Sequence, residues 1–393
     1  MTIFPSFFVP SAPALNYVQT MRRTEITYLD HAAGTFLLPQ VKDSLREWLD
    51  ENTANPSSIH GLGRIAASEM DAARLSIART LGCKPSELIF TSGGTEANNL
   101  AILGGAEATR AQGQHIITCG TEHPSILESC NKLEQDGFRV TLLSTDAHGN
   151  IDLDELKASI GNDTTLITLM WVNNETGLIH PIHKIGQLAG EHGIRFHCDA
   201  VQAMGHFPVD VQLLPIDSLS ISGHKIGAPA GIGLLYVRKG ILQKRQNHGG
   251  LQENNVRPGT QNHSGIIALA TAIQYHDESL DRHTQHFERL MNHLQHRLCS
   301  LPNIQMNRGS LAYAPHILNC SLHNLDGEML FIRLDMAKIA VSNGSACSSG
   351  SQAPSHVLTA LGIDPSLAQA SLRISLGINT TQNEIDLLCD ALE

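Results

Sequence analysis

No stretch of about 18 consecutive apolar residues occurs in this chain, so no segment reads as a membrane span. There is no excess of positive charge either. With 27 basic against 38 acidic residues the formal net charge is −11, which argues against tight, non-specific nucleic-acid binding. No two of the eight cysteines stand as C-x-x-C, and their spacing suggests neither a zinc knuckle nor a disulfide framework. Thiols scattered through 393 residues imply a reducing compartment, so a cytoplasmic location is expected. The 21 histidines show no H-E-x-x-H or comparable ligand spacing, and no metal site is expected. Internal repeats and low-complexity tracts are missing too. The apolar first ten residues lack a basic region and contain Pro5 and Pro10, which disfavours a secretory signal. Residues 1–27 read as an irregular lead segment.

What is present is the composition of an ordinary globular protein, 41% apolar and 17% charged. The length suits two domains in one compact unit. Strand-like runs at 88–91, 115–118, 139–143, 165–170, 195–197, 218–221 and 233–237 alternate with helix-like stretches. That alternation predicts an α/β fold with a mainly parallel, seven-stranded sheet covered on both faces. Residues 264–300 read as long helices, and 314–393 as a smaller α+β unit. The expected division is a large domain over 28–275 and a small C-terminal domain over 276–393.

The candidate site residues fall at the ends of predicted strands, where open α/β sheets bind ligands. Ser220-Ile221-Ser222-Gly223-His224-Lys225 ends one strand in a lysine, whose amine can form a Schiff base with a carbonyl cofactor. Upstream, His197-Cys198-Asp199 ends another strand in an aspartate, which suits the pyridinium nitrogen of pyridoxal phosphate. Ser92-Gly93-Gly94-Thr95 opens a helix after a strand and reads as a phosphate cup; an ordinary capped glycine turn is the plainer alternative. His123, after the strand at 115–118, could stack on a cofactor ring. The Asn173-Asn174 pair could supply an amide to the ring hydroxyl or a substrate carboxylate, or simply build a turn. Arg373 inside a strand needs a partner, either a substrate carboxylate or an internal salt bridge. Cys347 lies among small residues, with no apolar neighbour beyond Ala346, in a loop better suited to movement than to core packing.

Together these motifs resemble the cysteine desulfurases of the NifS/IscS type, fold-type I pyridoxal-phosphate enzymes of the class V aminotransferase superfamily. The resemblance runs from Tyr28-Leu29-Asp30-His31-Ala32-Ala33, through Asn55-Pro56-Ser57-Ser58-Ile59-His60-Gly61, to Thr380-Thr381-Gln382-Asn383-Glu384-Ile385-Asp386. It implies that Lys225 carries the cofactor, Asp199 pairs with the ring nitrogen, and Gln202 with the ring hydroxyl. His123 would stack on the ring and move protons, while Gly94, Thr95, Ser222 and His224 would hold the phosphate. Asn174 and Arg373 would bind the carboxylate of L-cysteine. Thr260, in Arg257-Pro258-Gly259-Thr260, would reach the phosphate of the neighbouring subunit in a homodimer. Cys347 would take the sulfur as a persulfide and pass it to an acceptor protein serving iron–sulfur cluster assembly, tRNA thiolation or DNA phosphorothioation, with alanine released. Selenocysteine lyase or transaminase chemistry on the same scaffold is the alternative, and an idle scaffold subunit a weaker one. Three departures from the family pattern stand out: Asn254-Asn255-Val256 before Arg257, Gly34 where threonine is common, and the long lead segment.

Overall fold

The computed structural model describes residues 25–51, 54–344 and 354–393. The expected nucleophile, Cys347, and most of the lead segment lie outside them. After a two-residue strand, β1 (Thr27–Tyr28), come helices α1 (Pro39–Asp50) and α2 (Gly61–Thr80). The large sheet then contains β2 (Leu88–Thr91), β3 (His115–Cys119), β4 (Arg139–Leu143), β5 (Thr164–Met170), β6 (Arg195–Asp199), β7 (Ser218–Ser222) and β8 (Gly233–Val237). Its seven strands run in the order β2-β8-β7-β6-β5-β3-β4. Neighbours from β7 to β4 are parallel, and β8 runs against both β7 and β2. The expected mainly parallel, seven-stranded α/β sheet is therefore present.

Local chemistry accounts for these strands. In β5 every residue of Thr-Thr-Leu-Ile-Thr-Leu-Met is buried, as a strand covered on both faces requires, and threonine and isoleucine suit the pleat. Helices α3 (Gly94–Asn99), α4 (Pro124–Gln135) and α5 (Ile182–Glu191) return the chain between strands. Proline at the first position and the His123 side chain, which accepts from Ser125 N–H, start α4.

The region expected to hold several helices is one, α6 (His263–Cys299), of 37 residues. At 1.5 Å per residue it spans about 55 Å. Past Gly265 nothing in its sequence breaks it, since neither proline nor glycine recurs before Cys299. Its first half packs Ile266, Leu269 and Ile273 into the core of the large sheet. Its second half packs Phe287, Leu290, Leu294 and Leu298 into a second core. That core covers a three-stranded antiparallel sheet, order β12-β10-β9, made of β9 (Ile304–Met306), β10 (Ile317–Leu322) and β12 (Ser371–Ser375). Two more helices, α7 (Gly327–Met336) and α8 (Gln382–Leu392), flank it. β1 pairs in parallel with β11 (Ile339–Ala340), and Leu29 is fully buried in the second core. The start of the described chain is thus bound to its C-terminal part, which carries Ala32 and Ala33 over the ends of β6 and β7.

Among the described residues no helix is long and apolar enough to cross a membrane. Nor is there a group of three or more histidine, cysteine or acidic side chains placed to hold a metal ion.

Candidate active site

The parallel strands end on one side of the large sheet, and a cavity of about 340 Å³ opens there. Gly94, Thr95, His123, Asn174, Asp199, Gln202, Ser222, His224, Lys225 and Arg373 all line it. Thr260 does not; it is exposed in this chain.

Asp199 is the last residue of β6, and Lys225 ends the short turn that follows the adjacent β7. Both carboxylate oxygens of Asp199 are held: Val201 N–H donates to Oδ1 at 2.9 Å and Asn98 Nδ2 to Oδ2 at 2.7 Å. Lys225 Nζ donates to the carbonyls of Ala32 at 2.5 Å and Ala33 at 2.8 Å. Gln202 Nε2 donates to the same Ala32 carbonyl at 2.9 Å. The segment delivered by β1 therefore orients two of the predicted groups.

His123 is partly buried, with Nδ1 accepting from Ser125 N–H at 3.1 Å and lying 2.8 Å from Ser125 Oγ. Accepting at Nδ1 fixes the neutral tautomer with its proton on Nε2. Burial lowers the pKa of this ring, and Lys225 and His356 add to that against the opposing pull of Asp199. His224 lies 2.9 Å from Ser222 Oγ through Nδ1, and burial together with Lys225 lowers its pKa to about 4. Both rings are thus neutral at pH 7.

The two asparagines after β5 have separate tasks. Asn173 builds the turn: its Oδ1 accepts from the N–H groups of Glu175 at 3.0 Å and Thr176 at 2.9 Å. Asn174 faces the cavity, and its carbonyl accepts from Arg373 Nη1 at 3.1 Å. Arg373 is 1% exposed, and its Nη2 forms a 2.7 Å salt bridge with Asp30. The internal partner anticipated for a buried arginine is present, yet the same side chain bounds the cavity and its Nε has no partner among the described residues.

Sequence patterns assign no role to Asn98, Ser125 or Glu122. Asn98 Nδ2 bridges Asp199 and, at 2.9 Å, Ser125 Oγ, so one amide links the aspartate to the histidine's anchor. Glu122 is fully buried; burial drives its carboxyl well above the usual range, and the neighbouring Asp199 adds to the rise. All three lie within three residues of Thr95 or His123, but no spacing rule marks a residue that acts through another.

These groups fit pyridoxal phosphate. An amine, a doubly held carboxylate and a small-residue cradle converge on one space. The cradle must be small: a Cβ on Gly94 would lie 2.8 Å from Val201 Cγ2 and 3.3 Å from Ser222 Cβ. Lys225 would hold the carbonyl carbon, Asp199 would face the ring nitrogen, and the start of α3 with Ser222 and His224 would take the phosphate.

Comparison with known proteins agrees. The family model described as aminotransferase class-V matches residues 27–388. A cysteine desulfurase IscS from Dictyoglomus turgidum is 43% identical over 370 residues, 93% of each chain. A solved NifS-like protein superposes with a TM-score of 0.87 at 34% identity, covering 93% of this chain and 97% of that one. A structure of SspA in complex with cysteine does so with a TM-score of 0.78 at 37% identity, covering 89% and 98%.

Proposed function

This chain belongs to the aminotransferase class-V family and, within it, to the cysteine desulfurases; from that premise we propose that it removes sulfur from L-cysteine, leaves L-alanine and carries the sulfur as a persulfide on Cys347. Pyridoxal phosphate is its cofactor. The observation that carries this reading is the placement of Lys225 and Asp199 on adjacent strand ends inside one cavity that Arg373 bounds. The bound cysteine named for the similar SspA structure supports the choice of substrate.

When bound, pyridoxal phosphate supplies an electrophilic carbonyl carbon and a ring that takes up the electron pair released at the substrate's Cα. Asp199, fixed by Asn98 and Val201, would face the ring nitrogen with its carboxylate. Gln202 and His123 would flank the ring, and the neutral His123 carries its proton on Nε2, from which it could exchange with substrate. Lys225, held by the carbonyls of Ala32 and Ala33, is the second group able to move the α-proton. Arg373, oriented by Asp30 and the Asn174 carbonyl, would offer its remaining Nη hydrogens to the substrate carboxylate, with the Asn174 amide beside it. The thiolate of Cys347 then attacks the substrate sulfur. An S–S bond forms, the substrate's Cβ–S bond breaks with its electron pair going to Cβ, and protonation there completes alanine.

The same proposal covers the finer organisation. The chain works as a homodimer in which Thr260 serves the neighbouring phosphate site; its exposure and its absence from the lining of its own cavity support this. The cofactor domain spans 28–275, and the small domain, 276–393, carries the cysteine loop. The acceptor is a protein rather than a nucleic acid, in keeping with the net charge of −11. Seven described cysteines, all free, support a reducing, cytoplasmic setting. The test is mass spectrometry of the protein after L-cysteine under non-reducing conditions, with alanine assayed in parallel. One added sulfur on Cys347 together with alanine is expected, and Cys347→Ser should keep the cofactor but lose the adduct. Sulfur transfer at the wild-type rate by that variant would overturn the assignment.

A further inference from the structure

The strand that delivers the phosphate cup, β2, is the outermost of the large sheet, paired only with β8. An edge strand presents backbone groups that need partners. Here two charged side chains supply them. Arg74 of α2 donates from Nη1 to the Leu88 carbonyl at 2.7 Å, and Glu253 Oε2 accepts from Phe90 N–H at 2.9 Å. A 2.7 Å ion pair joins Arg74 Nη2 to Glu253 Oε1, whose side chain is 1% exposed. The pair occupies the place a neighbouring strand would take.

Glu253 also anchors an unusual turn. Glu253, Asn254 and Asn255 have φ values of 46°, 57° and 64°, three successive non-glycine residues in the left-handed region. Asparagine tolerates that conformation and glutamate does so poorly, so the turn persists only where its surroundings over-determine it. They do: Gln261 Nε2 adds a third bond to the Glu253 carboxylate at 3.3 Å, and Asn254 Nδ2 donates to the Ser86 carbonyl at 3.0 Å. From this turn the loop runs through Arg257 to Thr260. Arg257 Nε reaches back to Glu96 Oε1 at 2.9 Å, and Glu96 Oε2 accepts from Ser92 N–H at 2.5 Å. Burial pushes the Glu96 carboxyl up, but the bonds from Arg257 and Ser92 outweigh it and hold it below the usual range. The loop is thus fastened on both sides of the cup, at Phe90 before it and at Glu96 after it.

We propose that Glu253 is a positioning residue for the cofactor phosphate, pinning the loop so that Thr260 and the cup are set as one rigid unit before the cofactor arrives. This rests on the reading of the cavity as a pyridoxal-phosphate site and of Thr260 as a phosphate ligand to the neighbouring subunit. The departure at Asn254-Asn255 then has a physical purpose, since these residues accept the left-handed turn that Glu253 locks.

The test is the dissociation constant of pyridoxal phosphate, read from the visible absorbance of the full-length protein. Glu253→Gln, which keeps the volume and one acceptor but loses the charge, should weaken binding about tenfold. The absorbance maximum should not move, because Glu253 does not touch the ring. In a Thr260→Ala background the same change should add less than about twofold, since the residue acts through the loop. Arg257→Gln, at the more exposed end of the clasp, should show the same pattern and guards against a Glu253→Gln protein that fails to fold. Wild-type affinity in both variants, or an undiminished effect in the Thr260→Ala background, would overturn the proposal alone. A wild-type protein that takes up no cofactor would overturn the active-site reading and this proposal with it.

Discussion

Replacing Asn98 with alanine should damage the site although Asn98 has no assigned contact with cofactor or substrate. The side chain is 1% exposed and ties β6 to the start of α4. Nδ2 donates to Asp199 Oδ2 at 2.7 Å and to Ser125 Oγ at 2.9 Å, and Oδ1 lies 3.2 Å from His197 Nε2. Two of these partners have a second choice after the change. Ser125 Oγ keeps His123 Nδ1 at 2.8 Å, and His197 Nε2 has Ser220 Oγ within 3.5 Å. The uncompensated loss is therefore at Asp199 Oδ2, a hydrogen bond to a carboxylate, worth roughly 1.5–3 kcal/mol. The small void left by the amide adds to it, so about 2–4 kcal/mol is expected. Comparing urea midpoints of wild type and Asn98→Ala, with the slopes required to match, measures this. Alanine formation should fall at least about tenfold, because Asp199 can then rotate away from the ring nitrogen. The nearly isosteric Asn98→Asp is the sharper probe. It sets a second carboxyl 2.7 Å from Asp199, so it should lose more than Asn98→Ala at pH 8 and recover as acid protonates the pair. A loss below about 0.5 kcal/mol for Asn98→Ala, or wild-type behaviour of Asn98→Asp at pH 8, would refute the reasoning.

Stability should fall steeply in mild acid. Burial lowers the pKa of His31 and His180 to about 4 and of His197 and His316 to about 3, so the unfolded chain takes up protons first as pH drops below 6.5. Their contribution is complete above pH 6.5 and lost on the way down to the folded values, at about 1 kcal/mol per histidine between pH 6 and 5; an unfolding free energy flat over that range would contradict this. Gly34→Thr should be tolerated, because a Cβ there meets only His224 Cδ2, at 3.8 Å, and Gly34 is not in the left-handed region. A gain of about 0.4–1 kcal/mol from the stiffer unfolded chain is expected in urea, and a loss would show that the glycine is needed. Arg373→Lys cannot serve Asp30 and the Asn174 carbonyl while offering a fork to a carboxylate, so KM for L-cysteine in the alanine assay should rise by about tenfold or more. An unchanged KM would mean that Arg373 is structural only.

The parts of this molecule legible in its sequence share one physical property. Lys225, Asp199, His123, Asn174 and Gly94 each follow an apolar run that must be a strand, and parallel strands bring their ends to one side of a sheet. Local pattern and one topological rule therefore suffice to gather them. What stayed hidden depends on contacts between segments far apart in the chain. β1 is two residues long, too short for any periodic signal, yet its pairing with β11 puts Ala32 and Ala33 over Lys225. Arg373 meets Asp30 across 343 positions. Asn173 and Asn174 are alike in composition, and only the turn decides which of them faces the cavity. The long helix α6 reads in sequence as several, and its apolar stripe serves two different cores with histidines between them.

A sequence thus marks the residues that would touch a cofactor more readily than those that hold them still. The first kind must sit at strand ends; the second can come from any segment that folding delivers. Thr260 is the limiting case. In one chain it is an exposed loop residue outside the cavity lining, and the two-sided fastening of its loop, at Glu253 and at Arg257, sets it apart from an ordinary surface turn. A loop held against its backbone preference by a buried ion pair must be needed in one position. That position is absent from the lining of the chain's own cavity, which leaves it available to the second copy proposed above.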